Sequence, residues 1–187
     1  MTEESGRRSL PGDDLAANVS DDYRRKSVDA SRVGAAVEHL VAASCILASG
    51  GSLNVMTALV DDEGVDLVFS RRGAPETLAV QVKSRSTDTS VVQRGGFLAA
   101  VRSQTFKARR DLFMLFVVVD RPTATLGTVW FVPSVDYDRL ASTTSQGARR
   151  MSASLKPDSQ DKWSGYRMEF PELPVSIIAA LEELASH

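Results

Sequence analysis

A chain of 187 residues can form one domain with a sizeable core, and 43% hydrophobic with 25% charged residues is ordinary for a soluble globular protein. A net charge of -2 argues neither for nor against nucleic acid, because binding needs a local basic surface rather than a basic whole. The single cysteine, Cys45, excludes an intramolecular disulfide and a thiolate zinc cluster and fits a reducing cytoplasm; with only His39 and His187, histidine-based zinc or triad chemistry is poorly supported.

Residues 1–30 mix Ser, Asp, Glu, Arg and Gly with few large apolar side chains, too few to offset the cost of ordering the backbone. They read as a mobile tail before a single α/β domain over 31–187. Within the tail, Asp21-Asp22-Tyr23-Arg24-Arg25-Lys26 reads as a solvated charge run, or as a short helix whose basic triplet touches phosphate. The polar, acidic start carries no signal peptide, and the apolar stretches look too short or too interrupted to cross a bilayer. The expected setting is cytoplasmic, with no membrane partner.

Ser31 is placed to cap a helix from about Arg32 to Ala48, ended by Gly50-Gly51. Val33, Val37, Leu40, Val41, Ser44, Leu47 and Ala48 fall at helical spacing and predict its buried stripe. Glu38 lies beside that stripe, with Gly34, Ala35, Val41 and Ala42 as neighbours rather than Lys or Arg. A carboxylate there needs a partner, which a metal ion or Lys83 would supply; an exposed edge glutamate is the plainer alternative.

Leu53 to Val60 predicts the first strand, and Asp61-Asp62-Glu63-Gly64 an acidic, solvated turn without the spaced oxygens of a calcium loop. Gly64-Val65-Asp66-Leu67-Val68-Phe69 is a second apolar run with one carboxylate near its start. Through Gly73 and Pro75 it turns into Leu78-Ala79-Val80-Gln81-Val82-Lys83-Ser84. Side chains alternate along a strand, so Gln81 and Lys83 stand side by side on one face. Aspartate disfavours strands, which suggests a task for Asp66 or a strand end; Lys83 alone would read as an edge guard.

Magnesium takes one or two carboxylates and leaves its other positions to water and phosphate oxygens. Asp66, the Gln81 amide oxygen and Glu38, directly or through water, can make up a protein share of that kind. Lys83 beside them can orient or deprotonate an attacking water, or neutralise charge developing on a phosphate.

These pieces, Glu38, Gly64-Val65-Asp66 and Gln81-Val82-Lys83-Ser84, resemble the PD-(D/E)XK, or restriction-endonuclease-like, nucleases. Within that superfamily the chain is similar to a bacterial group of small domains that also carry an aromatic-Val-Pro-Ser element, here Trp130-Phe131-Val132-Pro133-Ser134. The resemblance spans roughly Ser31 to Leu140. It implies a restriction-endonuclease-like α/β core and Mg²⁺- or Mn²⁺-dependent hydrolysis of nucleic acid, DNA first. Glu38, Asp66 and Gln81 would organise the metal, and Lys83 would assist catalysis. Gln81 stands where Glu is more usual and removes one negative charge. The alternative is therefore a nuclease-like module that binds nucleic acid or assembles with protein without cutting.

Further along, Arg85 to Gly96 predicts a loop near the site, and Phe97 to Arg110 a helix with Phe97, Val101 and Phe106 inward. Its basic end, Lys107, Arg109 and Arg110, with Arg71, Arg72 and Arg85, can grip a nucleic-acid backbone; basic residues also suit a helix C-terminus on electrostatic grounds alone. Phe113 to Val119 reads as a strand covered on both faces and Thr128 to Val132 as the next, followed by a short helix over Asp136 to Leu140. Ala141 to Ser164 reads as loop, with Arg149, Arg150 and Lys156 as further candidate contacts. Trp163 and Tyr166 would stack on bases or, more plainly, pack in the core. Pro174 to Leu184 predicts a closing helix with Val175, Ile178, Leu181 and Leu184 inward, packed on the sheet or at a homodimer seam. A partner protein supplying specificity is the other association expected. The predicted architecture is a mixed sheet flanked by helices, in the order helix, three-strand meander, helix, strand, strand, helix.

Overall fold

The computed structural model describes residues 28–57, 64–103 and 106–186. The predicted tail up to residue 27, with its Asp21–Lys26 segment, and the acidic turn Asp61-Asp62-Glu63 lie outside the described residues. By contacts the chain divides between Ala35 and Ala36. Of the first unit only residues 28–35 are described, as the opening of helix α1 (Val28–Ala48).

The helix begins four residues earlier than the sequence suggested, so Ser31 lies inside it and is not its cap. In the second unit its buried stripe is Val37, Val41 and Cys45, one residue every turn. Leu47, expected inward, is 79% exposed. By length and composition Asp29–Ala48 would pass as a membrane span, at a mean hydropathy of 1.3, which corrects the expectation that no stretch was long enough. Only 22% of its most apolar window is buried in the protein, with Val41 and Cys45 fully so.

The α/β architecture holds: a central mixed sheet is flanked by helices. Its strands lie in the order β1 (Leu53–Thr57), β2 (Leu67–Arg71), β3 (Thr77–Ser86), β5 (Leu112–Asp120), β6 (Thr125–Pro133), β9 (Arg167–Glu169). The first three form the predicted meander, β3 and β5 run parallel, and the remaining pairs are antiparallel. A parallel pair needs a crossover. Here it contains a short helix α2 (Ser90–Gln93) and a strand β4 (Gly96–Val101), where a long helix was expected over Phe97 to Arg110. The correction has a simple cause: Phe97, Ala99 and Val101 are all buried, and that spacing is the period of a strand.

Strand β4 belongs to a second sheet, in the order β4, β8 (Arg149–Ser154), β7 (Ser142–Thr143). The stretch Ala141 to Ser164, expected as loop, supplies two of these strands. Phe97, Ala99, Val101, Met151 and Ala153 join Met114, Phe116, Val118, Trp130 and Val132 of the central sheet in one core, with Tyr137 of helix α3 (Ser134–Leu140). Phe97 packs at 5.0 Å from Trp130 and edge-on to Phe116, and Trp163 lies tilted against Tyr137 at 6.0 Å. Trp163 is thus a core residue, as the plainer reading had it.

The opposite face of the sheet is buried as well, by a set that includes Leu67, Phe69, Leu78, Val80, Leu115 and Val129. Helix α4 (Leu173–Ala185) lies near β2, β3 and β6. Its buried residues are Leu173, Pro174, Ile177, Ala180 and Leu181, so of the expected stripe Leu181 is buried, Ile178 and Leu184 are half-buried and Val175 is 70% exposed.

Candidate active site

Register decides which side chains of β3 face which layer. Gln81, Lys83 and Arg85 stand opposite Met114, Phe116 and Val118 of β5, on the face of the aromatic core. Val80, Val82 and Ser84 stand opposite Phe113, Leu115 and Val117, on the other. Gln81 and Lys83 are therefore neighbours on one face, as the alternation required.

The backbone of β3 defines the rest of the site. Ala79 N–H donates to the Asp111 carbonyl at 2.7 Å and Thr87 N–H to Val119 at 3.0 Å, so the odd-numbered peptide groups face β5. The even-numbered groups face the other way. Up to Val80 that side is taken by β2, whose pairing runs from Ser70 opposite Thr77 to Leu67 opposite Val80. There the ladder ends. Asp66 N–H still donates to the Val80 carbonyl at 3.0 Å, and beyond it the Asp66 carboxylate takes the place of a strand: its Oδ2 accepts the Val82 N–H at 2.6 Å. An ionised acceptor makes such a bond stronger than a neutral carbonyl would.

The structure thus seats the Asp66 carboxylate on the peptide between Gln81 and Lys83, at a fork where two strands part. Asp66 itself precedes β2 rather than lying in it. That fits a residue type that ends strands better than it extends them.

Gly64 completes the corner, a role the sequence signalled only as a glycine before the Asp. It is buried with φ of +71°, and a Cβ there would stand 2.6 Å from the Gln81 Nε2. Only glycine allows the chain to pass so close to the amide. Gln81 is 6% exposed, yet its amide has no hydrogen-bond partner among the described residues. Neither amide atom is fully enclosed, so the residue's small remaining exposure leaves the amide within reach of water or a ligand. Lys83 is half-buried and forms no ion pair among the described residues.

Glu38 is half-buried on α1 between buried Val37 and Val41, and it has a partner. No described group gathers three or more Asp, Glu, His or Cys side chains able to hold a metal ion. Among the described residues, the hard oxygen donors at the fork are the Asp66 carboxylate and the Gln81 amide, and Glu38 is the carboxylate expected beside them.

The six basic residues expected to grip a backbone sit on separate segments. Arg71 is bonded to Glu182 of α4, Arg109 pairs with Asp111 at 3.0 Å, and the Arg85 guanidinium turns back to the Ser84 carbonyl at 3.1 Å. Arg72, Lys107 and Arg110 are exposed. Lys107, Arg109 and Arg110 lie in a loop rather than at a helix end, which removes the helix-terminus explanation for their charge. Ser134 fixes that loop: its buried hydroxyl accepts the Arg109 N–H at 2.9 Å and donates to the Arg109 carbonyl at 2.7 Å. This gives the Val132-Pro133-Ser134 element a structural role.

No family model and no curated protein matches this sequence. Among solved structures the chain is similar to a bacterial homing endonuclease, I-Ssp6803I, with 18% identity over 79% of this chain and 94% of that one, at a TM-score of 0.47. It is also similar to MepB, with 12% identity over 63% of this chain and 87% of that one, at a TM-score of 0.30. Both TM-scores lie below one half, so function has to be read from the geometry of the site.

Proposed function

We propose that the chain is a divalent-metal-dependent nuclease hydrolysing phosphodiester bonds, with DNA as the first substrate to test. The observation that carries this reading is the Asp66 carboxylate seated on the Val82 N–H, between Lys83 and a Gln81 amide that has no hydrogen-bond partner among the described residues. The donor set suits Mg²⁺ or Mn²⁺: hard oxygens, few carboxylates and an amide that lacks a protein partner. Asp66 and Gln81 would hold the ion, with Glu38 acting directly or through water. When bound, such an ion polarises the phosphodiester and makes water a better nucleophile.

The protein's own groups do the rest. The Val82 N–H fixes the orientation of the Asp66 carboxylate, and Gly64 leaves room for the Gln81 amide. The Lys83 ammonium, with no carboxylate to neutralise it among the described residues, offsets charge on the phosphate as the nucleophile attacks or orients that nucleophile.

Incubating the full chain with duplex, branched and single-stranded DNA, and with RNA, in Mg²⁺ or Mn²⁺ tests the reading. Cutting is expected from the wild type and is lost in Asp66→Ala and Lys83→Ala chains that keep their circular-dichroism spectrum. Equal inertness of all three proteins on every substrate defeats it. One observation favours a second reading, a nuclease-like module without catalysis: the neutral Gln81 at a position where a carboxylate would strengthen ion binding. Retention of nucleic acid without cutting in either metal would select that module.

A further inference from the structure

We infer that the outer face of the second sheet is a docking surface for the backbone of double-helical DNA, held by Arg150 at its centre and by Arg102, Arg94 and Lys156 at the two ends of the β4–β8 pair. The surface belongs to a different sheet from the fork and needs no metal ion, so it stands whether or not the fork cuts.

Charge is the first observation. The chain is slightly acidic as a whole, but its charges are segregated. Residues 89–110 and 139–157 contain none of its 24 Asp and Glu residues and nine of its 22 Lys and Arg residues. All three strands of the second sheet, β4, β7 and β8, fall inside those two stretches. A net charge of -2 thus hides a positive local surface, which is what a polyanion requires.

Register supplies the second. Phe97, Ala99 and Val101 of β4 and Met151 and Ala153 of β8 point into the core, so Leu98 and Ala100 stand on the outer face across from Ser152 and Arg150. Arg102 follows β4 directly and is exposed. At the other end Leu155 N–H donates to the Gly95 carbonyl at 2.9 Å, and the exposed residues Arg94 and Lys156 flank that bond. None of these four cations has an ion-pair partner among the described residues, and the buried Arg150 Nε has no acceptor. Arg149, on the inner side of the same strand, is by contrast paired with Asp138 at 2.7 Å.

The occupant follows from what the face lacks. Proteins that hold single strands stack bases on aromatic side chains, and this face has none, since Phe97 and both tryptophans are buried in the core. The small side chains beside Arg150, Ala100 and Ser152, let a flat ribbon lie close to a groove. The major groove of B-form DNA, about 12 Å wide, admits a two-stranded ribbon, whereas that of A-form RNA is too narrow. The 6 residues of β4, at about 3.3 Å each, reach roughly 20 Å, enough to set cations against phosphates on both sides of such a groove.

The test is fluorescence anisotropy of the full chain in EDTA with a short duplex DNA, one of its single strands and a duplex RNA, across a salt series. Duplex DNA affinity is expected to fall with salt at a log–log slope of about -3 to -4, as four phosphate contacts give. The double variant Arg102→Gln, Arg150→Gln should reduce that slope by about 2 and the affinity by about tenfold or more. Arg121→Gln, whose arginine pairs with Asp88 elsewhere in the chain, should leave both unchanged. The exposed pair Arg94→Gln, Lys156→Gln should act as the first pair does, and it decides the matter if the first does not fold. Wild-type affinity and slope in the folded double variants overturn the inference, as does the absence of duplex binding at low salt. Tighter binding of the single strand or of duplex RNA overturns the choice of occupant. Duplex binding in EDTA by a wild type that cuts nothing supports this surface and defeats the nuclease reading, so the two fail separately.

Discussion

The two halves of β3 share one neighbour and differ in the other. β2 pairs with Thr77 to Val80 and β5 with Ala79 to Ser86, so around Ala79 and Val80 the strand lies between the two, and from Val82 onward it keeps β5 but has lost β2. Where the ladder is closed, Leu78, Ala79 and Val80 are buried aliphatics. Where it opens, the chain carries an amide, an ammonium, two hydroxyls and a guanidinium within six residues. A closed strand satisfies its own peptide groups and asks its side chains only to pack; an open one leaves donors and acceptors that polar groups must meet. One half holds the fold, and the other can bind something.

Several substitutions would break or sharpen that contrast. The largest effect is expected at Asp66: Asp66→Ala should lower single-turnover cutting by more than about a thousandfold, since it removes the carboxylate that the described residues place at the fork. Lys83→Ala should cost about 10²- to 10³-fold in kcat, in the range of losing one charge-stabilising group. Its urea midpoint should stay close to wild type, because Lys83 has no ion-pair partner among the described residues to lose. Leu78→Ala, in the closed half, should show the converse, losing about 2–5 kcal/mol of stability by chemical denaturation. A Lys83→Ala chain that unfolds as readily as Leu78→Ala would erase the distinction.

Smaller effects lie outside the strand. Ser134→Ala strands the Arg109 N–H and removes one of two donors to the Arg109 carbonyl, which Leu112 N–H also reaches at 3.3 Å, and should cost about 1–3 kcal/mol, read from the denaturation midpoint. At Cys45, burial pushes the thiol from 9.0 up to about 12. The folded state thus prefers the protonated thiol. Its contribution is complete below pH 9.0 and fades as pH rises from there through about 12. Native protein should therefore resist alkylation near neutral pH, and the same reagent should label it promptly in denaturant.

The open half of β3 was legible in the sequence because its polar residues interrupt an aliphatic run, where they cost too much to be incidental. The pairing of Gln81 with Lys83 followed from alternation alone. Strand β4 was not legible as a strand: Phe97 and Val101 are four residues apart, which suits a helix turn equally well. The Ala99 between them carries too little hydrophobicity to reveal the shorter period. Strand β8 was hidden for a related reason, since Met151 and Ala153 alternate with serine and arginine in a stretch whose composition is that of a loop. In α4, Val175 and Ile177 suit a helical stripe equally well by spacing. The buried Pro174 near the helix start, which the sequence reading left outside the stripe, sets the phase. The close approach of Gly64 to Gln81 joins residues 17 apart across a fork, and no local pattern encodes it.

The bond from Val82 to the Asp66 carboxylate has a consequence for solubility. A strand whose hydrogen-bonding side is bare invites a strand of another molecule to dock there, which is how orderly sheets begin to aggregate. In this protein the Asp66 carboxylate occupies the Val82 donor and the Arg85 guanidinium occupies the Ser84 carbonyl, so two backbone groups on that side are already taken by side chains. Asp66→Ala would remove one of these side chains along with the chemistry, and that chain should self-associate more readily on concentration than Asp66→Asn, whose amide oxygen can still accept the Val82 N–H.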